Sequence, residues 1–157
     1  MTREEKFMQE AIRLSQAGMQ QNKGGPFGCI IVKNDEIVGR GWNQVLANND
    51  PTAHAEIIAI RDACTNLGSF HLHDCELYAS CEPCPMCLAA IYWAQIKLIY
   101  FANTRNDAEE IGFNDSFIYD EMAIPAEQRN VKMIALGRTD ALKVFGQWAE
   151  KGDKRLY

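Results

Sequence analysis

No membrane anchor and no low-complexity tract can be recognised in this sequence. Its 157 residues are 47% hydrophobic and 24% charged, but the apolar residues never form a long continuous run. A membrane-spanning helix needs about 20 consecutive apolar residues. The charged opening Met-Thr-Arg-Glu-Glu-Lys also differs from the apolar region of a secretory signal. We therefore expect a cytoplasmic globular protein without a membrane partner.

An excess of positive charge is also missing. Lys and Arg number 16 against 21 Asp and Glu, which gives a net charge of −5. Affinity for a phosphate backbone comes largely from Lys and Arg. The one basic cluster, Lys151, Lys154 and Arg155, is confined to the last residues of the chain. Nucleic acid is therefore not an expected partner, and a small uncharged substrate agrees better with this composition.

The six cysteines do not indicate a disulfide framework. Such frameworks belong to small secreted chains that cannot build a sufficient hydrophobic core. A chain of this length can bury a core without them. Metal binding or buried free thiols are the better interpretations.

Hydrophobic periodicity predicts a single α/β domain over residues 1–157. Asn34-Asp35 separates two short β-prone runs and indicates a hairpin. Alternating helices and strands follow, and this order predicts a three-layer α/β/α fold with a central mixed sheet of about five strands. The predicted strands are 27–33, 36–42, 76–80, 97–102 and 131–136, and residues 43–50 are predicted as a loop. The predicted helices are 3–21, 53–67, 84–94, one or two within 106–122 with a break near Gly112, and 139–151.

Two thiols and a histidine form the candidate metal site. Cys84 and Cys87 occur in Pro-Cys-Pro-Met-Cys at the start of an apolar helix, where a spacing of three residues places both on one helix face. His54, also at a predicted helix start, is the best third ligand. Catalytic zinc sites use three protein ligands and keep a fourth position for water. With Glu56, these residues form the His-x-Glu and Pro-Cys-x-x-Cys signature of zinc-dependent base deaminases.

Glu56 suits the role of proton shuttle, because it lies two residues beyond His54 and could reach a zinc-bound water without being a ligand. A first-turn glutamate that complements the helix dipole is the alternative. For the cysteines, the alternative is a structural site closed by Cys81, which repeats the same three-residue spacing. Pro83 favours helix initiation after Cys81 and so argues against this closed site.

At these motifs the chain resembles the cytidine-deaminase-like superfamily of zinc hydrolases, and within it the bacterial guanine deaminases. The resemblance implies one catalytic Zn²⁺ per chain and hydrolysis of guanine to xanthine and ammonia. It further implies that zinc-bound hydroxide attacks C2, that Glu56 carries protons and that Asp115 assists at the departing amine; from the sequence alone, Asp115 could equally cap a helix. The similar segments are 24–28, 49–56, 80–87, 90–94 and 112–119.

Similarity also suggests which residues contact a flat purine base. Asn43 is expected to bind a ring edge, although a turn residue is the alternative. The backbone of Ala55 and the rings of Phe27 and Trp93 are further candidates, although such aromatics are often core residues. The resemblance also implies a homodimer, in which the C-terminal segments can be exchanged. There the tail, residues 150–157 with Tyr157, would cover an active site; a disordered tail is the alternative.

Three other functions stay open at this point. Guanosine in place of guanine would use the same chemistry. A tRNA adenosine deaminase would share the zinc, the glutamate and the fold, but would be expected to have a more basic surface and to lack the Asp115 segment. A noncatalytic structural-zinc module would tolerate Glu56→Gln, whereas an enzyme would keep its zinc and lose turnover.

Overall fold

The computed structural model describes all 157 residues. Their contacts divide the chain into two compact units, residues 1–116 and residues 117–157. The first unit contains the whole β-sheet. The expectation of a single domain over residues 1–157 stays a prediction.

The sheet begins with the predicted hairpin, which is confirmed. Strands β1 (Gly28–Lys33) and β2 (Glu36–Trp42) pair antiparallel. Their connection uses Asn34 and Asp35 with φ of 50° and 64°. Positive φ at both central residues is typical of the turn that matches the twist of a two-residue hairpin.

Two further strands complete a mixed sheet. Strand β3 (Glu76–Cys81) pairs antiparallel with β1 and parallel with β4 (Leu98–Asn103), so that the order is β2-β1-β3-β4. The predicted fifth strand over residues 131–136 is wrong, because this segment joins no sheet. Its residues favour extended structure, but a strand needs a neighbour for its backbone groups. Ile134 and Leu136 are instead 88% and 95% exposed.

Helices cover both faces of the sheet and confirm the three-layer architecture. Successive strand residues point to opposite faces. Ile30 therefore packs in a core with Leu14 of helix α1 (Arg3–Gln20), and Ile31 packs in a second core beneath helices α3 (Ala55–Leu67) and α4 (Pro85–Trp93). The connection β3-α4-β4 is the parallel unit that the sequence predicts.

Helix α3 lies unusually close to β2, since two glycines permit the approach. A Cβ atom at Gly41 would lie 2.1 Å from the carbonyl oxygen of Ala55, and one at Gly39 would lie 2.5 Å from that of Ala59. Real Cβ atoms do not approach backbone so closely, so neither position accepts a side chain without a shift. The contact with β2 therefore sets the distance of α3, including its first turn, from the sheet.

The remaining helices are short. Helix α2 (Val45–Asn48) lies where the sequence predicts only a loop. The predicted break near Gly112 is confirmed, with φ of +101° at Gly112 between α5 (Arg105–Glu110) and α6 (Asp115–Ala123). A short 3-10 turn (Ala126–Gln128) and α7 (Arg138–Glu150) follow. No helix combines the length and the apolar character that crossing a bilayer requires.

Candidate active site

His54 is presented by the turn that leads into α3. Asp50 accepts hydrogen bonds from the backbone N–H (2.8 Å) and the hydroxyl (2.7 Å) of Thr52, and the His54 N–H donates to the Thr52 carbonyl at 2.7 Å. His54 itself is the N-cap residue, with extended backbone and no side-chain capping bond. Its imidazole is therefore directed away from its own helix end and towards α4.

The two cysteines come from the first turn of α4. Cys84 is the N-cap, Pro85 follows at the position where a missing N–H costs least, and the Cys84 sulfur accepts from the Cys87 N–H at 3.5 Å. The His54 Nδ1 atom lies 3.5 Å from the sulfur of Cys84 and 3.5 Å from that of Cys87. The three candidate ligand atoms all lie within 4.8 Å of one another.

Hydrogen bonds within this group change the pKa values of its three members in different directions. Hydrogen bonds from Cys87 and His54 lower the pKa of the Cys84 thiol to about 4, against the cost of its burial. The same hydrogen bond to Cys84, together with burial, raises the pKa of Cys87. The hydrogen bond between His54 and Cys84 raises the pKa of His54. These interactions favour the thiolate form at Cys84, and a bound cation would displace the proton that Cys87 holds.

The distances fit tetrahedral zinc. Zn–S bonds of about 2.3 Å and Zn–N bonds of about 2.0–2.1 Å separate nitrogen and sulfur by about 3.6 Å at a tetrahedral angle, close to the 3.5 Å found here. Cys81 does not belong to the group, because it lies at the end of β3 and its thiol donates to the Thr104 carbonyl at 3.5 Å. The closed four-ligand site is therefore not formed, and three ligands leave a position for water.

A cavity of about 420 Å³ opens beside the three ligands. Glu56, only 8% exposed, and Asp115 both line it. Burial raises the pKa of Glu56. Burial, followed by the negative charge of Cys84, raises the pKa of Asp115. Two carboxyl groups that hold protons more strongly than usual thus face one cavity, an arrangement suited to proton transfer.

Asn43 fixes one wall of the cavity. It is 6% exposed, and its side-chain oxygen accepts from the N–H groups of Gly25 (3.3 Å) and Val45 (3.1 Å). Because the oxygen is engaged by the backbone, the NH₂ end is the one left to bind a ligand. Phe27 also lines the cavity, and its ring forms an edge-to-face pair with the ring of Phe113.

Comparison with known proteins agrees with this geometry. Residues 1–103 match the family described as the cytidine and deoxycytidylate deaminase zinc-binding region. The matched part contains His54, Glu56, Cys84 and Cys87. The chain belongs to this deaminase family. Zinc is accordingly its cofactor, with one His/Cys/Cys group per chain to hold it.

Within this deaminase family, the chain is similar to guanine deaminase of Bacillus subtilis (strain 168), with 48% identity over 98% of each chain. The X-ray structure of B. subtilis guanine deaminase superposes with a TM-score of 0.94, again with 98% of each chain covered. A tRNA-specific adenosine deaminase of Buchnera aphidicola is 40% identical over 60% of this chain and 62% of its own. The protein NE0047, solved with 2,6-diaminopurine, is 32% identical with a TM-score of 0.66, over 69% of this chain and 61% of its own.

The structure brings together most, but not all, of the residues that the sequence singles out. Six of them line the cavity of this deaminase: Phe27, Asn43, His54, Glu56, Cys84 and Asp115. Cys87 is fully buried and belongs to the ligand group with His54 and Cys84. Ala55 is buried and does not line the cavity. Trp93 is not brought there either, because it is the last residue of α4 and is 68% exposed. Tyr157 belongs to the second unit and is 76% exposed, so its role stays a prediction.

Sequence reasoning missed several residues that line the cavity. Phe113 lies in the segment 112–119, which carries the resemblance. Its position at the cavity becomes visible only in the fold, where its ring contacts Phe27. Glu82 also lines the cavity and accepts a hydrogen bond from the Arg105 N–H at 3.0 Å. The Glu-Pro-Cys-Pro-Met-Cys motif contained Glu82, but its partner is 23 residues away in the chain.

Proposed function

We propose that this protein is a guanine deaminase, which hydrolyses guanine to xanthine and ammonia. The observation that carries the proposal is the placement of Glu56 and Asp115 in one cavity with the His/Cys/Cys group. The similarity to guanine deaminase over 98% of the chain supports guanine as the substrate. A role in purine metabolism follows from this activity, and a cytoplasmic location stays a prediction.

In this proposal His54, Cys84 and Cys87 hold the zinc. When bound, zinc lowers the pKa of a water molecule to about 7, so that a hydroxide nucleophile is available at neutral pH. The chain's own contribution is to lower the pKa of the Cys84 thiol through hydrogen bonds, and to direct the His54 Nδ1 atom towards both sulfurs. This preorganisation reduces the rearrangement that metal binding requires.

Glu56 is the proposed proton shuttle. Its raised pKa lets it accept the proton of the attacking water and hold it inside a buried cavity. It then delivers the proton to the ring nitrogen beside C2, where negative charge develops. The proton that remains on the added oxygen then passes to the exocyclic amine. The C–N bond breaks, ammonia leaves with its electron pair, and the new C–O bond becomes the carbonyl group of xanthine.

Asp115 and Asn43 have separate proposed roles. Asp115 accepts a hydrogen bond from the exocyclic amine and assists its protonation, a task favoured by its raised pKa. Asn43 donates its NH₂ group to an acceptor on the purine edge, because its oxygen is already bound by two backbone N–H groups. The base is thus held at one edge while the reacting amine faces the carboxylates.

Release of ammonia from a panel of substrates tests the proposal. Zinc-loaded protein is offered guanine, guanosine, cytosine, cytidine, adenine and an anticodon RNA, with Glu56→Gln and the exposed Glu110→Gln as a matched pair. We expect turnover of guanine, lost in Glu56→Gln at unchanged zinc content and kept in Glu110→Gln. Reaction of guanosine or the RNA without guanine would overturn the substrate, and full activity of Glu56→Gln would overturn the mechanism.

We further propose a homodimer in which the C-terminal segment of one chain covers the active site of the other, with residues 150–157 and Tyr157 as the lid. The support is the surface of the second unit, where no residue is buried. About 40 residues rarely form a stable core alone. Phe145 of α7 and Ile134 and Leu136 before it are 73%, 88% and 95% exposed, and such apolar surface calls for a partner.

A further inference from the structure

We propose that Phe113 is a positioning residue for deamination: its ring contact with Phe27 holds the backbone that carries Asp115 at the cavity. Phe113 would thus act through Asp115 and not by chemistry of its own. The inference rests on the function proposed above, because it assumes that Asp115 takes part in the reaction.

The contact between the two rings is close and directional. The ring centroids of Phe27 and Phe113 lie 4.9 Å apart with planes at 86°, which is an edge-to-face pair. Such a pair is attractive because the positive ring edge meets the negative face. Phe27 directly precedes β1, and the first five residues of this strand, Gly28–Val32, are all buried. Phe113 is therefore held against a rigid part of the sheet, although the ring itself is 39% exposed.

The backbone links Phe113 to Asp115 over two residues. The Phe113 N–H donates to the Ala108 carbonyl at 2.9 Å, which fastens the segment to α5. The Asp115 N–H donates back to the Phe113 carbonyl at 3.3 Å, where α6 begins. Between α5 and Phe113, Gly112 adopts φ of +101°, a conformation that glycine accepts without strain. Beyond this turn the Phe113 ring adds a side-chain contact to the backbone bonds, because it packs against Phe27.

A substitution at Gly25 gives an independent way to disturb this contact, and a substitution at the neighbouring Gly24 gives a control. A Cβ atom at Gly25 would lie 2.9 Å from Cζ of Phe113 and 3.0 Å from Cε2 of Phe27, so that the rings must shift. A Cβ atom at Gly24 would instead lie 2.0 Å from the side-chain oxygen of Asn43. Gly25→Ala therefore acts on the Phe27–Phe113 contact, and Gly24→Ala acts on the Asn43 wall.

A double-mutant cycle on guanine turnover tests the inference. The variants are Phe113→Ala, Asp115→Asn and the double variant, each with its zinc content and thermal unfolding checked. We expect Phe113→Ala to lower kcat by about ten- to a hundredfold, the effect of misplacing a reacting group by about 1 Å. In the Asp115→Asn background the same change should cost less than about twofold, since the group that Phe113 positions is already gone.

Further variants separate positioning from loss of structure. Gly25→Ala should lower kcat as Phe113→Ala does and should add little to Asp115→Asn. Gly24→Ala, the matched control, should raise KM and be additive with Asp115→Asn. Phe113→Leu, which keeps much of the apolar volume, should recover part of kcat.

The outcomes distinguish this inference from the proposed function. Equal kcat losses for Phe113→Ala with and without Asp115 overturn the inference alone, because Phe113 then acts independently. An unimpaired Asp115→Asn overturns both the role of Asp115 and the inference built on it. Failure of the proposed function itself is seen separately, as a wild-type protein that does not deaminate guanine.

Discussion

The Asn43 amide uses its two ends differently, and this predicts different results for two substitutions. Asn43→Asp keeps an oxygen for the N–H groups of Gly25 and Val45 but replaces the donor with a second acceptor. We expect KM for guanine to rise about tenfold or more, since one hydrogen bond is lost, with the wall intact. Asn43→Ala should in addition lower the free energy of unfolding by about 1–3 kcal/mol, because two N–H groups lose their acceptor.

Steady-state kinetics and denaturant unfolding of both variants decide this prediction. Wild-type KM in Asn43→Asp would show that the amide nitrogen does not bind the purine. Equal stability of the two variants would show that the oxygen is not needed to hold the wall.

Glu56 is expected to make the zinc-free protein less stable as the pH rises. Burial raises its pKa in the folded state above the ordinary value of about 4.3. A group with a raised folded pKa contributes its full stability below the unfolded value and loses it as the pH rises through the folded pKa. The free energy of unfolding of zinc-free wild type should therefore fall over this range relative to Glu56→Gln.

Urea unfolding across pH 4–8 in the presence of a chelator measures this difference, with the exposed Glu110→Gln as control. Glu110→Gln should run parallel to wild type, and Glu56→Gln should diverge from it upwards as the pH increases. Parallel curves for all three proteins would mean that the folded state does not disfavour the Glu56 carboxylate. A stability cost at this residue agrees with its proposed role, since catalytic groups are often held at the expense of stability.

The close packing of α3 on β2 makes the first turn of α3 sensitive to Gly41. A Cβ atom at Gly41 meets the carbonyl of Ala55, which lies between His54 and Glu56, and also the Ala59 nitrogen. One at Gly39 meets Ala59 and Ala63, further along α3, and does not meet Ala55. Both Gly41→Ala and Gly39→Ala should destabilise the fold by about 1–3 kcal/mol through overpacking. Only Gly41→Ala should also weaken zinc retention and lower kcat, because it displaces the turn that carries His54 and Glu56.

Zinc content after dialysis against a chelator series, together with guanine turnover, compares the two glycine variants. Equal zinc loss in both variants would mean that the whole helix moves as one body. Unchanged zinc binding in Gly41→Ala would mean that strand β2 does not set the position of the site.

The sequence predicted those elements whose signals are local. The turn residues Asn34 and Asp35 specified the hairpin. The helices predicted from residues 53 and 84 placed His54 and the two cysteines near helix starts, and the observed helices begin at Ala55 and Pro85. Periodicity could not show which segments find partners, and so residues 131–136 were predicted as a strand that does not form. It also could not show direction, since Trp93 belongs to an apolar helix yet faces outwards. Phe113 was missed because its partner Phe27 is distant in the chain.

The second unit carries many exposed apolar residues, and these residues support the proposed dimer. Residues 131–157 are exposed throughout, and they include Val131, Ile134 and Leu136 at 75%, 88% and 95% exposure. In α7, Val144 and Phe145 are 60% and 73% exposed. Exposed apolar residues concentrated in one part of the chain are typical of a protein interface. A second copy of the same chain is the simplest partner, because a two-fold dimer covers both copies by one set of contacts.

If the C-terminal segments are exchanged, two inactive chains should restore activity in one dimer. Glu56→Gln lacks the proposed shuttle but keeps its tail, and a chain ending at Ala149 keeps Glu56 but lacks residues 150–157. Each should be inactive as a homodimer. Co-expressed with different tags and purified on both, the mixed dimer should have about half the wild-type activity, because one of its two sites receives Glu56 and a tail from different chains.

The mixed dimer separates exchange from simple dimerisation. Without exchange, every site lacks either Glu56 or its own tail, and the mixed dimer stays inactive even though light scattering finds two chains. A monomer in light scattering contradicts the assembly itself, and full activity of the truncated homodimer contradicts the lid. Recovered activity would require a Glu56 from one subunit and residues 150–157 from its partner, so that the complete active site belongs to the dimer.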